Sequence, residues 1–294
     1  MTEAPAKPPL EFIQKRTFSE ILNDTFRFFR ENFKPLFKCM IFIGGPVVLF
    51  SSVFTGVFQT DVLEESMTFD EDFFARLGVT VFLYLLSTIV VMTVVFEYVH
   101  IQIHSKEKVV EIDDVWQATK RDFGAMFVLT IGILLLLTIA LILFIIPGVY
   151  LWVATAFTYY IWLEERDGFL NALSRSVSLV TNHWWFTFGV FLFIAFLQMF
   201  IGYIFDLPSE ILSLIIREVT LETAPALLKT LSFFTSVLAH LSVFLTPIGV
   251  VATVLQYYNL KESKEATTLM QKVDAIYNAD APHSESSLPG SDNN

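Results

Sequence analysis

Charged side chains and cysteine are both scarce in this chain, and each scarcity excludes a class of protein. Only 17% of the 294 residues are charged, and no charged residue occurs between Ala125 and Leu163. Soluble domains carry about 25% charged residues, so the composition excludes an ordinary soluble globular protein. The single cysteine, Cys39, excludes an intrachain disulfide and a cysteine-ligated metal cluster. The net charge of −11 argues against nucleic acid as a partner.

Cofactor-binding and catalytic motifs are also absent from the sequence. It contains no phosphate-binding glycine loop, no Gly-x-Ser-x-Gly nucleophile motif and no His-Glu-x-x-His zinc motif. The first 35 residues are charged and polar, which does not fit a cleavable signal peptide. We therefore predict no cofactor, and the absence of a catalytic motif favours a protein that is not an enzyme.

Long hydrophobic stretches dominate what remains, because 54% of the residues are hydrophobic. The uncharged run from Ala125 to Leu163 would be about 58 Å long as one helix, against a hydrocarbon core of about 30 Å. Pro147-Gly148 breaks helices, so we predict two spans joined by a tight hairpin there. Pro247 is expected to kink the last span. The sequence predicts an all-α polytopic integral membrane protein with six transmembrane helices, at residues 36–58, 77–99, 125–146, 148–163, 184–205 and 231–258.

The basic residues predict how the chain is oriented and divided. Sixteen of the 19 lysines and arginines fall on one side of the predicted membrane, together with both termini. By the positive-inside rule, both termini are predicted to be cytoplasmic. We predict a flexible N-terminus at 1–15, a six-span membrane domain at 16–262 and a largely disordered cytoplasmic tail at 263–294.

Three polar segments, which precede spans 1, 3 and 5, share one apolar pattern. In each, apolar side chains recur at i, i+4, i+7 and i+11, which places them on one face of a helix. We predict three amphipathic interfacial helices and, with the hairpin that follows each, a threefold internal repeat; the alternative is that any amphipathic helix has this spacing. The stripes are Leu22, Phe26, Phe29 and Phe33; Ile112, Trp116, Thr119 and Phe123, of which Thr119 is the weak member; and Leu173, Val177, Val180 and Trp184.

Five cations on the polar faces of these segments are predicted to contact lipid headgroups. They are Arg27, Arg30, Lys120, Arg121 and Arg175. Basic residues beside an apolar stripe pair with lipid phosphates when a helix lies at the membrane surface. The alternative is that the three segments only set the tilt of the spans that follow.

One cluster in the sequence has a spacing that fits a metal site. Glu97, His100 and His104 lie at i, i+3 and i+7 near the end of the second predicted span, and so share a helix face. Glu-x-x-His and His-x-x-x-His are both metal-chelating spacings. The alternative is that these are ordinary polar residues at the end of a span.

Two further groups of polar residues are candidates for a structural or transport role. Arg175 follows Glu164 and Glu165 closely, which predicts a structural clamp between the fourth span and the next segment. Gln198 and His240 lie within predicted spans, and polar groups there either line a cavity or bond to another helix.

Four short motifs in the sequence resemble one known family. They are "ALSRSVSL" (172–179), "WLEERDGF" (162–169), "FSEILNDTFRFFRENFKPLF" (18–37) and "IPG" (146–148). Over residues 16–262 they resemble the glycerophosphoryl diester phosphodiesterase membrane domain. The resemblance implies a multi-span helical domain of the prokaryotic cytoplasmic membrane. The phosphodiesterase activity is not implied, because the residues after 262 are too few for a catalytic barrel of about 250 residues.

The sequence thus predicts a non-enzymatic membrane module of the bacterial cell envelope that interacts with lipid or serves as a scaffold. Its predicted partners are membrane lipids and other membrane proteins, and not nucleic acid. A transporter or channel built on Gln198 and His240 is the first alternative. A metal-dependent intramembrane enzyme built on Glu97, His100 and His104 is the second.

Overall fold

The structure is a computed structural model that describes residues 10–64, 71–105, 110–218 and 225–279. All regular elements in these ranges are helical. Among them are six helices long and apolar enough to cross a membrane, which confirms the predicted all-α multi-span architecture. These candidate spans lie at Phe18–Phe58, Glu71–His104, Ile112–Leu143, Ile145–Glu165, Trp184–Leu212 and Thr230–Ala266.

The described part of the chain contains ten α-helices, and all of them except α7 contribute to the candidate spans. A π-helical turn (Met40–Gly44) joins α1 to α2, and a 3-10 turn (Leu241–Leu245) joins α9 to α10. The helices are α1 (Phe18–Cys39), α2 (Gly45–Glu64), α3 (Glu71–His104), α4 (Ile112–Leu143), α5 (Ile145–Thr155), α6 (Thr158–Glu165), α7 (Phe169–Val180), α8 (Trp184–Glu218), α9 (Pro225–His240) and α10 (Thr246–Ala279).

Helices α3 and α10 form the centre of the bundle. Residues 89–99 of α3 are buried at every position except Met92, and residues 250–260 of α10 at every position except Thr253. Helix α10 packs against α1, α3, α7 and α8. A helix that is buried on all sides must be apolar all round, so the few polar groups on these two helices need partners inside the protein.

The end of α4 and the start of α5 present apolar side chains on the outside of the protein. Ile142 is 78% exposed and Ile146 is 83% exposed, and the residues between them are exposed as well. Water would disfavour such a contiguous apolar surface, whereas lipid chains would not. The exposed surface therefore fits a protein surrounded by lipid.

The junction between each predicted interfacial segment and its span differs along the chain. The first segment runs through the π-helical turn into α2, and the second is continuous with its span inside α4. The third forms a separate helix, α7, and the turn Thr181–His183 separates it from α8. The structure thus contains one separate helix where the sequence predicts three, and the threefold repeat stays a prediction.

The hairpin predicted at Pro147-Gly148 turns three residues earlier. Phe144 has an extended backbone (φ −157°, ψ 131°), and α5 begins directly after it. Pro147 occupies the first turn of α5, where a missing N–H is tolerated because the first four amides of a helix have no intrahelical acceptor. The 3-10 turn at Leu241–Leu245 likewise ends just before Pro247.

The predicted domain boundaries correspond only in part to helix ends. The boundary at residue 15 lies close to Phe18, where α1 begins. The boundary after residue 262 falls inside α10, which continues to Ala279. The first nine residues and residues 280–294 lie outside the described ranges, so the predicted flexible termini are described only in part.

Candidate functional site

The C-terminal end of α6 gathers polar residues from four other helices. Its last residues are Glu164 and Glu165, and Arg166 follows in the left-handed conformation with φ 53°. A residue in this conformation cannot continue a right-handed helix, so α6 ends here, and it is an uncommon conformation for a residue other than glycine. We call Glu164, Glu165 and Arg166 the α6 terminus; its three side chains contact different sets of helices.

Glu164 connects α6 to α3 and α10. Its carboxylate oxygens lie 3.3 Å from Nδ1 of His100 and 3.6 Å from Nε2 of His104. The hydroxyl of Tyr258 donates to Glu164 Oε1 at 3.2 Å, and the hydroxyls of Tyr160 and Tyr258 lie 3.0 Å apart. The two histidines and the glutamate together form a group that can hold a metal ion, with their ligand atoms within 4.8 Å of one another.

Glu165 connects α6 to α7 and α10. Arg175 Nε donates to Glu165 Oε1 at 2.5 Å, and Arg175 also contacts Glu265 at 3.4 Å. Desolvation disfavours the charge of Arg175, but the hydrogen bond to Glu165 and the nearby carboxylates raise its pKa. The structure therefore places Arg175 against Glu165, one of the two carboxylates predicted to pair with it, whereas Glu164 faces the histidines.

Arg166 connects α6 to the start of α4. Its guanidinium lies 2.8 Å from Asp122 Oδ2, and Arg121 lies 2.9 Å from the same oxygen. Glu97, which is fully buried on α3, lies beside Asp122.

The structure brings together only two of the three residues that were predicted to share a metal site. His100 and His104 lie together, and the acid next to them is Glu164 and not Glu97. Sequence spacing could not indicate Glu164, because it lies 60 residues after His104.

Ser176 has a structural role that sequence reasoning missed. The backbone of the fourth span is interrupted at Ala156 and Phe157, between α5 and α6. The fully buried hydroxyl of Ser176 accepts from the Phe157 N–H at 3.2 Å and donates to the Ala154 carbonyl at 2.6 Å. It thereby gives a hydrogen-bond partner to one backbone N–H and one backbone carbonyl at the interruption.

An apolar groove opens between α2, α3 and the start of α4, and we call it the α2–α3–α4 groove. Its volume is about 660 Å³. Trp116 and Lys120 line it, with the Lys120 ammonium 4.9 Å from the centre of the Trp116 ring, and Asp113 lines it too. The remaining lining residues are Phe42, Ile43, Pro46, Val47, Leu86, Val90, Ile112, Thr119 and Phe123.

In all three predicted interfacial segments, the face packed against the protein lies one residue before the predicted stripe. One residue corresponds to about 100° around a helix. Phe26, Phe33 and Trp116 of the stripes are accordingly exposed, although Thr119 and Val180 are buried. The packed positions are Ile21, Thr25 and Phe28; Val115, Ala118 and Asp122; and Ala172, Ser176 and Leu179.

Four of the five cations predicted to contact headgroups have partners inside the protein. Arg27 contacts Glu31 at 2.7 Å, and Lys120 lies against Trp116. Arg121 and Arg175 contact the carboxylates described above. Arg30 is exposed and, with Arg27, lines a second groove on the surface of α1. Lys120 is the member of this set that borders the α2–α3–α4 groove.

The two polar residues predicted within the spans contact separate partners. Gln198 donates to the Leu245 carbonyl at 2.9 Å, beside the 3-10 turn. His240 is 5% exposed, with Nε2 3.4 Å from the Ser87 hydroxyl and its ring against Tyr84. Gln198 thus forms a hydrogen bond to another helix, which is one of the two alternatives predicted for a polar residue within a span.

No family model matches the chain, and comparison with the curated proteins and with the solved structures gives no significant match.

Proposed function

We propose that this protein is a non-enzymatic membrane module that binds phospholipid, with an acyl chain in the α2–α3–α4 groove. The observation that supports this best is the combination of an apolar groove among candidate membrane spans with Lys120 and Trp116 at its border. We also propose that the chain is related to the glycerophosphoryl diester phosphodiesterase membrane domain that it resembles. This relation implies no catalytic activity.

The size and lining of the groove suit a lipid chain. Its volume of about 660 Å³ falls in the usual range for small-molecule sites. Most of its lining is aliphatic or aromatic, and Phe42 is exposed at one side. An acyl chain in this groove would cover apolar side chains without requiring any hydrogen bond.

The border of the groove suits a phospholipid headgroup. The Lys120 ammonium lies over the Trp116 ring, 4.9 Å from its centre, at the border of the apolar lining, where a phosphate can approach. Asp113 gives the same border a negative charge. One group of each sign matches a headgroup that carries both a phosphate and an amine, so we expect phosphatidylethanolamine to be the preferred ligand.

The contacts at one end of the bundle support the orientation that we propose. Arg166, Arg175 and Lys264 join the end of α6, the start of α4, α7 and α10 there. The end of α3 meets the same place through the contact of His100 with Glu164. These are segments that the positive-inside rule assigns to the cytoplasm. We propose that the protein lies in the bacterial cytoplasmic membrane, with this end and both termini inside.

The lipid proposal is tested by filling the groove with a larger side chain. Val47→Trp places an indole in the groove, and we expect the purified protein to retain less phosphatidylethanolamine in native mass spectrometry than wild type does. Val53→Trp is the matched control, because Val53 is exposed on the same helix and does not line the groove. Equal retention by the two variants would contradict the proposal.

The headgroup contact is tested separately with Lys120→Ala. Loss of a charged hydrogen bond is worth about 1.5–3 kcal/mol, so we expect affinity for phosphatidylethanolamine in nanodisc exchange to fall by about tenfold or more. Lys15→Ala removes the same charge from an exposed position outside the groove and should leave the affinity unchanged. An unchanged affinity in Lys120→Ala would show that Lys120 does not hold the phosphate.

A further inference from the structure

His100 and His104 on α3 and Glu164 on α6 offer three metal-ligating atoms at one place. The two histidines lie one turn apart on α3, and the glutamate comes from the end of a helix that contacts α3. Their ligand atoms lie within 4.8 Å of one another. This group is separate from the α2–α3–α4 groove, so its role does not depend on lipid binding.

The distances within the group fit a tetrahedral metal centre. Zinc bonds to nitrogen and oxygen ligands at about 2.0–2.1 Å, which places neighbouring ligand atoms roughly 3.3 Å apart in a tetrahedron. The observed separations are 3.3 Å from His100 Nδ1 to Glu164 Oε2 and 3.6 Å from His104 Nε2 to Glu164 Oε1. The two distances end on different oxygens of the same carboxylate, and the three ligand atoms lie within 4.8 Å of one another, so rotation of the side chains must close the remaining distance to one ion.

The shortest of these contacts leaves two buried polar atoms unsatisfied. His100 Nδ1 and Glu164 Oε2 are both inaccessible to solvent, and neither has a hydrogen-bond partner of acceptable geometry among the described residues. Buried polar atoms without partners are rare in folded proteins and costly to maintain. A metal ion between them would satisfy both atoms at once.

Residues around the group orient the ligands as metal sites require. His104 donates its Nδ1–H to the His100 carbonyl at 2.8 Å, so the lone pair of Nε2 is directed away from that bond. Tyr258 donates to Glu164 Oε1, and its own hydroxyl contacts that of Tyr160. Metal-bound histidines and carboxylates usually have such hydrogen bonds, which fix the tautomer and the ligand orientation.

We propose that His100, His104 and Glu164 bind one divalent transition-metal ion, with Zn²⁺ the best match. Two imidazoles and one carboxylate suit zinc, whereas magnesium and calcium require oxygen ligands. The side chain of His104 is 49% exposed, which gives an ion access from solvent. Three protein ligands leave a fourth position for water or an anionic ligand. The ion would connect the end of α3 to the end of α6.

The proposal is tested with full-length protein that has been purified in detergent and stripped with a chelator. We expect wild type to bind one Zn²⁺ per chain in calorimetry and elemental analysis, and Co²⁺ to give the intense visible absorption of a four-coordinate ion. His104→Gln and Glu164→Gln should each lower Zn²⁺ affinity by at least about 10–100-fold, the loss usual even for residues that only support a ligand. Zn²⁺ should also raise the thermal stability of wild type and not that of His104→Gln.

Glu165→Gln is the matched control, because it removes the same charge from the neighbouring residue, whose contacts are with Arg175 and Tyr257. It should bind Zn²⁺ as wild type does. Gel filtration and circular dichroism establish whether each variant is folded. If Glu164→Gln does not fold, His104→Gln alone tests the proposal. Folded wild type without stoichiometric Zn²⁺, unchanged affinity in His104→Gln, or equal loss in Glu165→Gln would each overturn the assignment.

Discussion

The residues that organise one end of this protein act through bonds to other helices. Arg16 illustrates this, because its backbone N–H donates to Asn259 Oδ1 at 2.8 Å and its side chain pairs with Asp24 at 2.8 Å. Asn259 in turn donates to Gln256, which donates to Thr187. This series of buried hydrogen bonds determines how α8, α10 and the segment before α1 pack together. Breaking any one of them would leave a buried polar group with neither a protein partner nor water.

Ser176 gives a test at the scale of a single residue. Ser176→Ala removes the partner of the Phe157 N–H and of the Ala154 carbonyl, both of which lie at the interruption of the fourth span. An unsatisfied buried group costs about 1–3 kcal/mol, so we expect the variant to be destabilised by that order. Thermal unfolding of the detergent-solubilised protein measures the loss.

Ser178→Ala is the control for this experiment, because the Ser178 side chain is exposed on the same helix. Its stability should stay within about 0.5 kcal/mol of wild type. If Ser176→Ala were as stable as Ser178→Ala, the hydroxyl would not be what satisfies the interrupted backbone.

At the scale of elements, the α4–α5 hairpin depends on a close approach of two helices. A Cβ added at Gly148 would lie 2.4 Å from Leu141 Cδ2 and 3.1 Å from the Leu141 Cα. Because the backbone of Leu141 is also close, rotation of its side chain cannot create enough space. Glycine at this position therefore allows α5 to pack against α4 directly after the turn at Phe144.

Gly148→Ala is accordingly expected to separate the two helices and destabilise the protein by about 1–3 kcal/mol, as overpacking does. The same thermal unfolding measurement reports the loss, and the added change Leu141→Ala should restore part of it. Gly124→Ala on α4 is the control, since a Cβ there meets nothing within 4 Å and alanine favours the helix. Equal stability of the two alanine variants would argue against the close packing at Gly148.

At the scale of the whole molecule, the basic segments that are far apart in the chain meet at one end of the bundle. Lys264 Nζ donates to the Ser178 carbonyl, Arg175 reaches Glu265, and Arg166 reaches Asp122. These contacts join α4, α6, α7 and α10. The distribution of basic residues predicts that the contacting parts of all four helices lie on the cytoplasmic side of the membrane. The polar end of the bundle and the proposed metal site share this side.

The orientation is tested with single cysteines introduced at exposed positions. Glu71→Cys, at the start of α3, should react with a membrane-impermeant thiol reagent in intact bacterial cells, whereas Glu111→Cys should react only after the cells are opened. The natural Cys39 is fully buried, so its background labelling should be low. The reverse labelling pattern would invert the proposed orientation.

The sequence by itself determined the six candidate spans, the helical class and the approximate position of the hairpin. These features depend on local properties, since an apolar run of about 20 residues partitions into a bilayer whatever its neighbours are. The pairing of Glu165 with Arg175 could also be predicted from the sequence, because only ten residues separate them. The turn lies at Phe144 and not at Pro147. A helix-breaking motif thus predicts the region in which the chain turns, whereas packing determines the residue at which it turns.

Only the tertiary structure decided which side chains share a site. Helical periodicity placed Glu97, His100 and His104 on one face, but it could not show that Glu97 lies beside Asp122 while Glu164 lies beside the two histidines. It also could not show which side of each amphipathic segment packs against the protein. Periodicity relates residues within one helix, whereas a site is formed by the helices that pack against it, and that packing depends on side chains distributed over the whole chain.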